Sequence, residues 1–174
     1  MTKKNIIAIL LIGLLLVFVI LIVYKALHKK PAAAFSTEMP AFALTTLEGG
    51  LFTSDSLHAG KTVMVFYAPG CLFCEHEGKE LARHAADFAG SQFLFITCAL
   101  ADSAAAYSLR TGIHAIPHFY SLVDAACKTP RPFGLRTTPT TLLYDENRRL
   151  IKGIEGEVNA VKLRKMLQEY EPEK

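Results

Sequence analysis

From Ile6 to Tyr24 the chain is apolar without a break, with Gly13 as its one weak point. At about 1.5 Å per residue, a helix of that length crosses a hydrocarbon core of roughly 30 Å. The run therefore splits the chain into a membrane-length segment and a remainder with its own folding rules. Lys3 and Lys4 precede it, and Lys25, His28, Lys29 and Lys30 follow. A cleaved leader has a shorter apolar core and a small-residue site directly after it. Ala32-Ala33-Ala34 offers such a site, but three basic residues and a histidine stand in between. No cysteine follows the run, which argues against a lipid-modified terminus, and a buried core helix is the remaining alternative. The expectation is one transmembrane helix within residues 1–30. The basic flanks are nearly balanced once the terminal amine is counted, so charge alone does not orient it.

About 140 residues remain, enough for one domain with its own core. The net charge of +3 owes much to the lysines flanking the apolar run, and there is no basic stripe of the kind nucleic acid requires. Residues 31–38 are small and polar and read as a tether. "MPAFALTTLEGGLFTSDSL" alternates apolar and polar residues around Glu48-Gly49-Gly50, the pattern of a β-hairpin. Thr62 to Tyr67 and "QFLFITC" read as buried strands. A helix is predicted from about Leu72 to Ala89, with Leu81, Ala85 and Phe88 on its buried face. A second helix, capped by Asp102 or Ser103, runs to Leu109 and stops at Gly112. "HFYSLVD" is a further strand. Ala125 to Arg136 is an irregular segment broken by Pro130 and Pro132. "TTLLYDENRRLIKGIEG" gives two strands, and a last amphipathic helix starts near Asn159. Strands alternating with helices imply a sheet with parallel pairs and helices on both faces, with chemistry at the carboxyl ends of the strands.

Cys71 and Cys74 fall at such an end, where a strand hands over to a helix. A helix N-terminus presents unpaired N–H groups and a positive dipole end, which favours thiolate over thiol. Cys71, at the very end, is the expected attacking thiolate, and Cys74, a turn further in, the resolving thiol. Glu77 lies three residues after Cys74 and four before Leu81, so it shares their face and points at the sheet. A buried carboxylate there has a raised pKa and relays protons to Cys74. The competing reading is a surface glutamate in a first helical turn. A structural disulfide across two residues would gain little chain entropy, and a zinc site would need a second ligand pair, which Cys98 and Cys127 do not supply by spacing. Cys98 and Cys127 read first as free thiols; a second disulfide or an auxiliary redox pair is the alternative.

"MPAFALTTLEGGLFTSDSLHAGKTVMVFYAPGCLFCEHE" resembles the start of a membrane-tethered thiol–disulfide oxidoreductase of the TlpA/ResA type. The resemblance rests on the hairpin, the Gly60-Lys61 turn, the Cys71–Cys74 pair and Glu77 at the family's glutamate position. "RTTPTTLLYDENRRLI" is similar to the family's second signature. There Pro139 would be a cis-proline facing the dithiol, with Thr138 before it pairing with substrate backbone. The resemblance covers most of Met39 to Tyr170. It implies an α/β, thioredoxin-like fold with a central mixed sheet over residues 39–174, preceded by the transmembrane helix. It also implies reduction of disulfides in extracytoplasmic proteins, apocytochrome c among them, with an upstream membrane protein as electron donor and no cofactor. The chain departs from the pattern at Gly70, where the family often has tryptophan, and so lacks a flat substrate platform there. It departs again at the bulky Leu72-Phe73, at Asp145 to Arg149 without a turn glycine, and at the double-proline loop.

Three rivals are weaker. A peroxiredoxin needs a proline seven and a threonine three residues before its reactive cysteine; Tyr67 and Cys71 stand there relative to Cys74. A Sco-type copper chaperone spaces its cysteines by three residues and adds a distant histidine, for which His114 or His118 would serve. Disulfide oxidation or isomerisation is the alternative within redox chemistry. A tethered dithiol belongs where disulfides form, so the expected setting is the bacterial cytoplasmic membrane, with the domain on the extracytoplasmic side.

Overall fold

The computed structural model describes residues 3–27 and 35–170, with side chains for 11–24 and 35–170. The chain divides into two compact units at residues 32 and 33. The first holds helix α1, Lys3–Leu27, whose side chains from Leu11 to Tyr24 are all exposed. Among the described residues no helix is long and apolar enough to cross a membrane. The side chains of the flanking lysines, of His28 and of Ala32 to Ala34 lie outside the described residues.

The second unit is a seven-stranded mixed sheet. Its strands are β1 (Ala43–Thr46), β2 (Leu51–Thr53), β3 (Lys61–Phe66), β4 (Ser91–Thr97), β5 (Phe119–Val123), β6 (Thr140–Tyr144) and β7 (Leu150–Glu155), in the spatial order β2-β1-β5-β4-β3-β6-β7. β3, β4 and β5 are mutually parallel, and the other pairings are antiparallel. Val63 and Val65 of β3 point to one face, Met64 and Phe66 to the other, and all four are buried. This is the signature of a strand covered on both sides.

The covering differs from expectation. α2 (Leu72–Arg83), α3 (Ala101–Thr111) and α4 (Ala160–Glu169) all bury side chains on the Val63/Val65 face: Cys74 and Leu81, Tyr107, and Leu163 and Leu167. β3, β4 and β5 step across the sheet in one direction, so both right-handed crossovers fall on one side. The opposite face is closed by the hairpin, by Leu57 and by the β5–β6 loop, whose Phe133 is completely buried among Phe42, Phe66 and Tyr144. Two prolines keep that loop from becoming the helix that would have covered this face.

Smaller corrections follow from packing. α2 ends at Arg83, and a 3-10 turn, Ala85–Phe88, aims Phe88 at Phe93. α3 begins at Ala101 with Leu100 before it and no side-chain cap, while Gly112 ends it at φ +81° as expected. The turn without glycine is built by Asp145, whose Oδ1 accepts the N–H groups of Asn147 and Arg149, with Arg148 at φ +62°. The tether is shorter than 31–38. Thr37 accepts the Leu150 N–H, Glu38 bridges Arg149, and Phe35 lies against Gly153, so the sheet holds the chain from residue 35.

Candidate active site

Every element of the site converges on the carboxyl end of β3. Tyr67 follows the strand, and the chain turns through Pro69 and Gly70 with the Cys71 N–H donating to the Ala68 carbonyl at 3.1 Å. Gly70 sits at φ +83° with nothing within 4 Å of an added Cβ. Glycine is therefore used there for its backbone freedom and not for space. Cys71 is the N-cap of α2: its Sγ accepts the Cys74 N–H at 3.4 Å. The sulfur thus takes the place a serine hydroxyl would hold, at the positive end of the helix dipole. It is partly exposed, whereas Cys74 is buried, and both are free thiols. Burial above all pushes the Cys74 thiol up to about 12. Its contact with the Cys71 sulfur and the charges on Cys71 and Glu77 add to the rise, and the Ala68 backbone opposes it. At neutral pH Cys74 is a thiol that needs a base.

Glu77 lies one helical turn after Cys74. It is fully buried. Burial raises its carboxyl to about 7 against the hydrogen bond from Thr141, with the nearby Glu157 charge raising it further. Thr141 Oγ1 donates to Oε1 at 2.7 Å. Oε2 has no hydrogen-bond partner among the described residues; the Val158 amide is near enough to favour the charge slightly without completing a bond. A carboxyl that titrates near neutrality with one bare oxygen is equipped to pass a proton.

The remaining expected residues are brought to the same edge. Phe66 pairs with Thr140 in β6, which sets Pro139 opposite Tyr67. The Thr138–Pro139 peptide is cis; Thr138 is exposed and Pro139 buried. Cys98 follows Thr97 at the end of β4. It is not a free thiol, as first read, but is bonded to Cys127, because Asp124 accepts the Cys127 N–H and folds the loop back over the strand end. The copper-site histidines are elsewhere. His118 precedes β5, at the opposite edge, beside His58, and His114 faces the Ser108 carbonyl. Among the described residues no three His, Cys, Asp or Glu side chains cluster as metal ligands.

A family model of the thioredoxin-like domain matches residues 56–171. The chain belongs to the thioredoxin-like family. No curated protein matches it. Among solved structures, this thioredoxin-like chain is similar to a secreted Mycobacterium tuberculosis disulfide oxidoreductase homologous to E. coli DsbE, with TM-score 0.63, 21% identity, and coverage of 73% of this chain and 94% of that one. It is similar to a putative thiol:disulfide interchange protein DsbE from Chlorobium tepidum, with TM-score 0.61, 21% identity, and coverage of 79% and 97%. It is also similar to the peroxidoxin BcpB of M. tuberculosis, with TM-score 0.67, 20% identity, and coverage of 79% and 98%. At these identities the likeness is one of fold.

Sequence reasoning missed four contributors to this thioredoxin-like site. Tyr67 and Tyr107 stack with ring centroids 3.9 Å apart, and the Tyr107 hydroxyl donates to the Cys74 carbonyl at 2.8 Å. The Tyr67 hydroxyl is buried without a partner among the described residues, and burial and the Cys74 charge both raise its pKa. Gly78 lets α3 approach: an added Cβ would fall 2.4 Å from the Tyr107 hydroxyl. Thr141 positions Glu77. Of these, Gly78 left a signal, a glycine inside a helix.

Proposed function

We propose that the chain is a membrane-tethered thiol–disulfide oxidoreductase that reduces disulfides in extracytoplasmic proteins, with apocytochrome c as a substrate class to test. One observation carries the reading: a partly exposed thiol caps α2, in front of a buried thiol and a buried carboxyl that titrates near 7. Cys71 thiolate attacks a substrate disulfide, forming a mixed disulfide and releasing one substrate thiolate, which takes up a proton. Glu77, ionised, takes the Cys74 proton, and the new thiolate attacks the Cys71 sulfur. The second substrate thiol leaves, Cys71 and Cys74 are joined, and two electrons have passed to the substrate. Thr138 and Gly70, both exposed, would face the substrate chain.

Thiolate stability supports the direction of this reading. An oxidising dithiol protein is one whose reduced form is stabilised. Here burial and Glu77 disfavour the Cys74 thiolate, which leaves the reduced pair easier to oxidise. A redox titration should give a midpoint nearer to thioredoxin, at about −270 mV, than to DsbA, at about −120 mV. A midpoint well above the glutathione couple overturns the direction. Cys74→Ser should accumulate mixed disulfides on Cys71; trapping none overturns the assigned roles.

The anchor and setting are supported by the apolar run and by the chemistry. Oxidised partners are found outside the cytoplasm. The reading is N-terminus inside and domain outside the bacterial cytoplasmic membrane, with an upstream membrane dithiol protein returning the electrons. A reporter fused after Lys174 that is active only in the cytoplasm overturns it.

A further inference from the structure

A groove of about 360 Å3 opens beside the cis-proline, and its two walls come from different parts of the chain. One wall is the strand ends, from Phe66-Tyr67 and Ile96 to Cys98; the other is the β5–β6 loop, from Cys127 to Thr138. The Cys98–Cys127 disulfide joins these walls. Both cysteines are exposed, so an incoming thiolate can reach either sulfur. Cys127 holds φ +49°, a left-handed conformation that a non-glycine residue adopts under constraint. The loop beyond it has no helix or strand. Phe133 anchors its far part in the core, and the Thr129 N–H donates to the Asp124 side chain at 2.6 Å. Beyond the chain's own passage into β5 and β6, the bridge ties the near part of the loop to the end of β4.

We propose that Cys98–Cys127 is a second redox site, reduced by a dithiol and setting the width of the groove between Tyr67 and Thr138. A thiolate of the reductant attacks one sulfur of the bridge. A mixed disulfide forms, the Cys98–Cys127 bond breaks, and the displaced sulfur leaves as thiolate and takes up a proton. The reductant's second thiol, deprotonated, attacks its own bonded sulfur and frees the other cysteine. Two electrons have then moved: the reductant has become a disulfide and the bridge two thiols. With the bridge open, the far part of the loop wall keeps Phe133, Leu135 and the Arg136–Glu155 pair, while its near part, at Cys127, keeps local hydrogen bonds, so the groove can widen at that end. Exposed, accessible disulfides are the labile and regulatory ones.

The test uses the full-length chain with Cys71→Ser and Cys74→Ser, so that the outcome is independent of the dithiol reading. It is equilibrated in dithiothreitol buffers of graded potential and labelled with a maleimide, and amide hydrogen exchange is followed. The expected result is joint labelling of Cys98 and Cys127 while the far-ultraviolet circular dichroism stays native. Exchange over residues 124–136 should then quicken by about threefold or more, with Thr140–Tyr144 unchanged. No labelling before the fold is lost overturns the redox site. Labelling without faster exchange overturns its control of the groove. Cys71→Ser alone, which keeps the buried Cys74, repeats the measurement should the double variant fold poorly.

Discussion

The two faces of the sheet are closed in different ways. On the helical face, α2, α3 and α4 bury a thiol, a carboxyl and two stacked tyrosines, and two of their polar atoms, Glu77 Oε2 and Tyr67 Oη, lack a partner among the described residues. On the other face, Phe42, Phe52, Phe66 and Phe133 pack ring against ring beneath hairpin and loop. Orphaned buried polar groups are unfavourable, at about 1–3 kcal/mol each. Two of the three such atoms among the described residues lie on the helical face and one, Tyr144 Oη, on the loop-covered face, so the helical face gives up more stability to its polar groups than the face opposite.

The strongest way to break this contrast is Phe133→Ala. Emptying a fully buried aromatic site should lower stability by about 3–5 kcal/mol, read as a fall in the urea midpoint. If the faces are independent, Cys71 alkylation in the remaining folded protein should stay within about twofold of wild type. A larger change would show the faces to be coupled.

Glu77→Gln should act in the opposite sense. The carboxyl titrates near 7 when folded, above its ordinary value of 4.5. Its folded pKa is raised, so its contribution is fully present below about 4.5, falls as pH rises toward 7, and is lost above that. Removing the charge should therefore stabilise the reduced protein above pH 7 by on the order of 2–3 kcal/mol and change little below pH 4.5. The same variant should slow resolution of the mixed disulfide by about 100-fold and remove the rate's rise through pH 7. Stability curves at several pH values and single-turnover quench separate the two effects. A variant less stable at pH 8 would contradict the trade.

Gly78→Ala should be milder, a loss of about 1–3 kcal/mol from overpacking against Tyr107, with the Tyr107–Cys74 hydrogen bond lengthened. Thermal melts of Gly78→Ala alone and combined with Tyr107→Phe check it, since removing the hydroxyl should recover part of the loss. The smallest effect is expected from Arg110→Ala. Its guanidinium meets Glu75 at 2.7 Å in a half-exposed pair, so stability should move by no more than about 0.5 kcal/mol.

Much of this was legible in the residues. The strand runs, the hairpin around Gly49, the dithiol at a strand-to-helix handover and the inward aim of Glu77 follow from periodicity and spacing. Helix placement did not, because it depends on strand order: the direction in which β4 and β5 step from β3 is not written in either strand. The Cys98–Cys127 bond was illegible for a related reason, since a loop folded by Asp124 brings together residues that are 29 apart in sequence. Nothing in the spacing of Tyr107 sets it apart from its neighbours, and only its packing against Tyr67 gives it a place in the site.

The short stretch from Phe35 to Met39, laid along the start of β7, has a further consequence. β7 pairs with β6 on one side only, and its other side would offer bare N–H and C=O groups to any neighbouring chain. Thr37 occupies the first of those groups, Met39 pairs with Arg148 just ahead of the strand, and Phe35 covers Gly153 further along. A soluble fragment that begins at residue 39 would uncover this border and invite aggregation, whereas one that begins at residue 34 would carry its own guard.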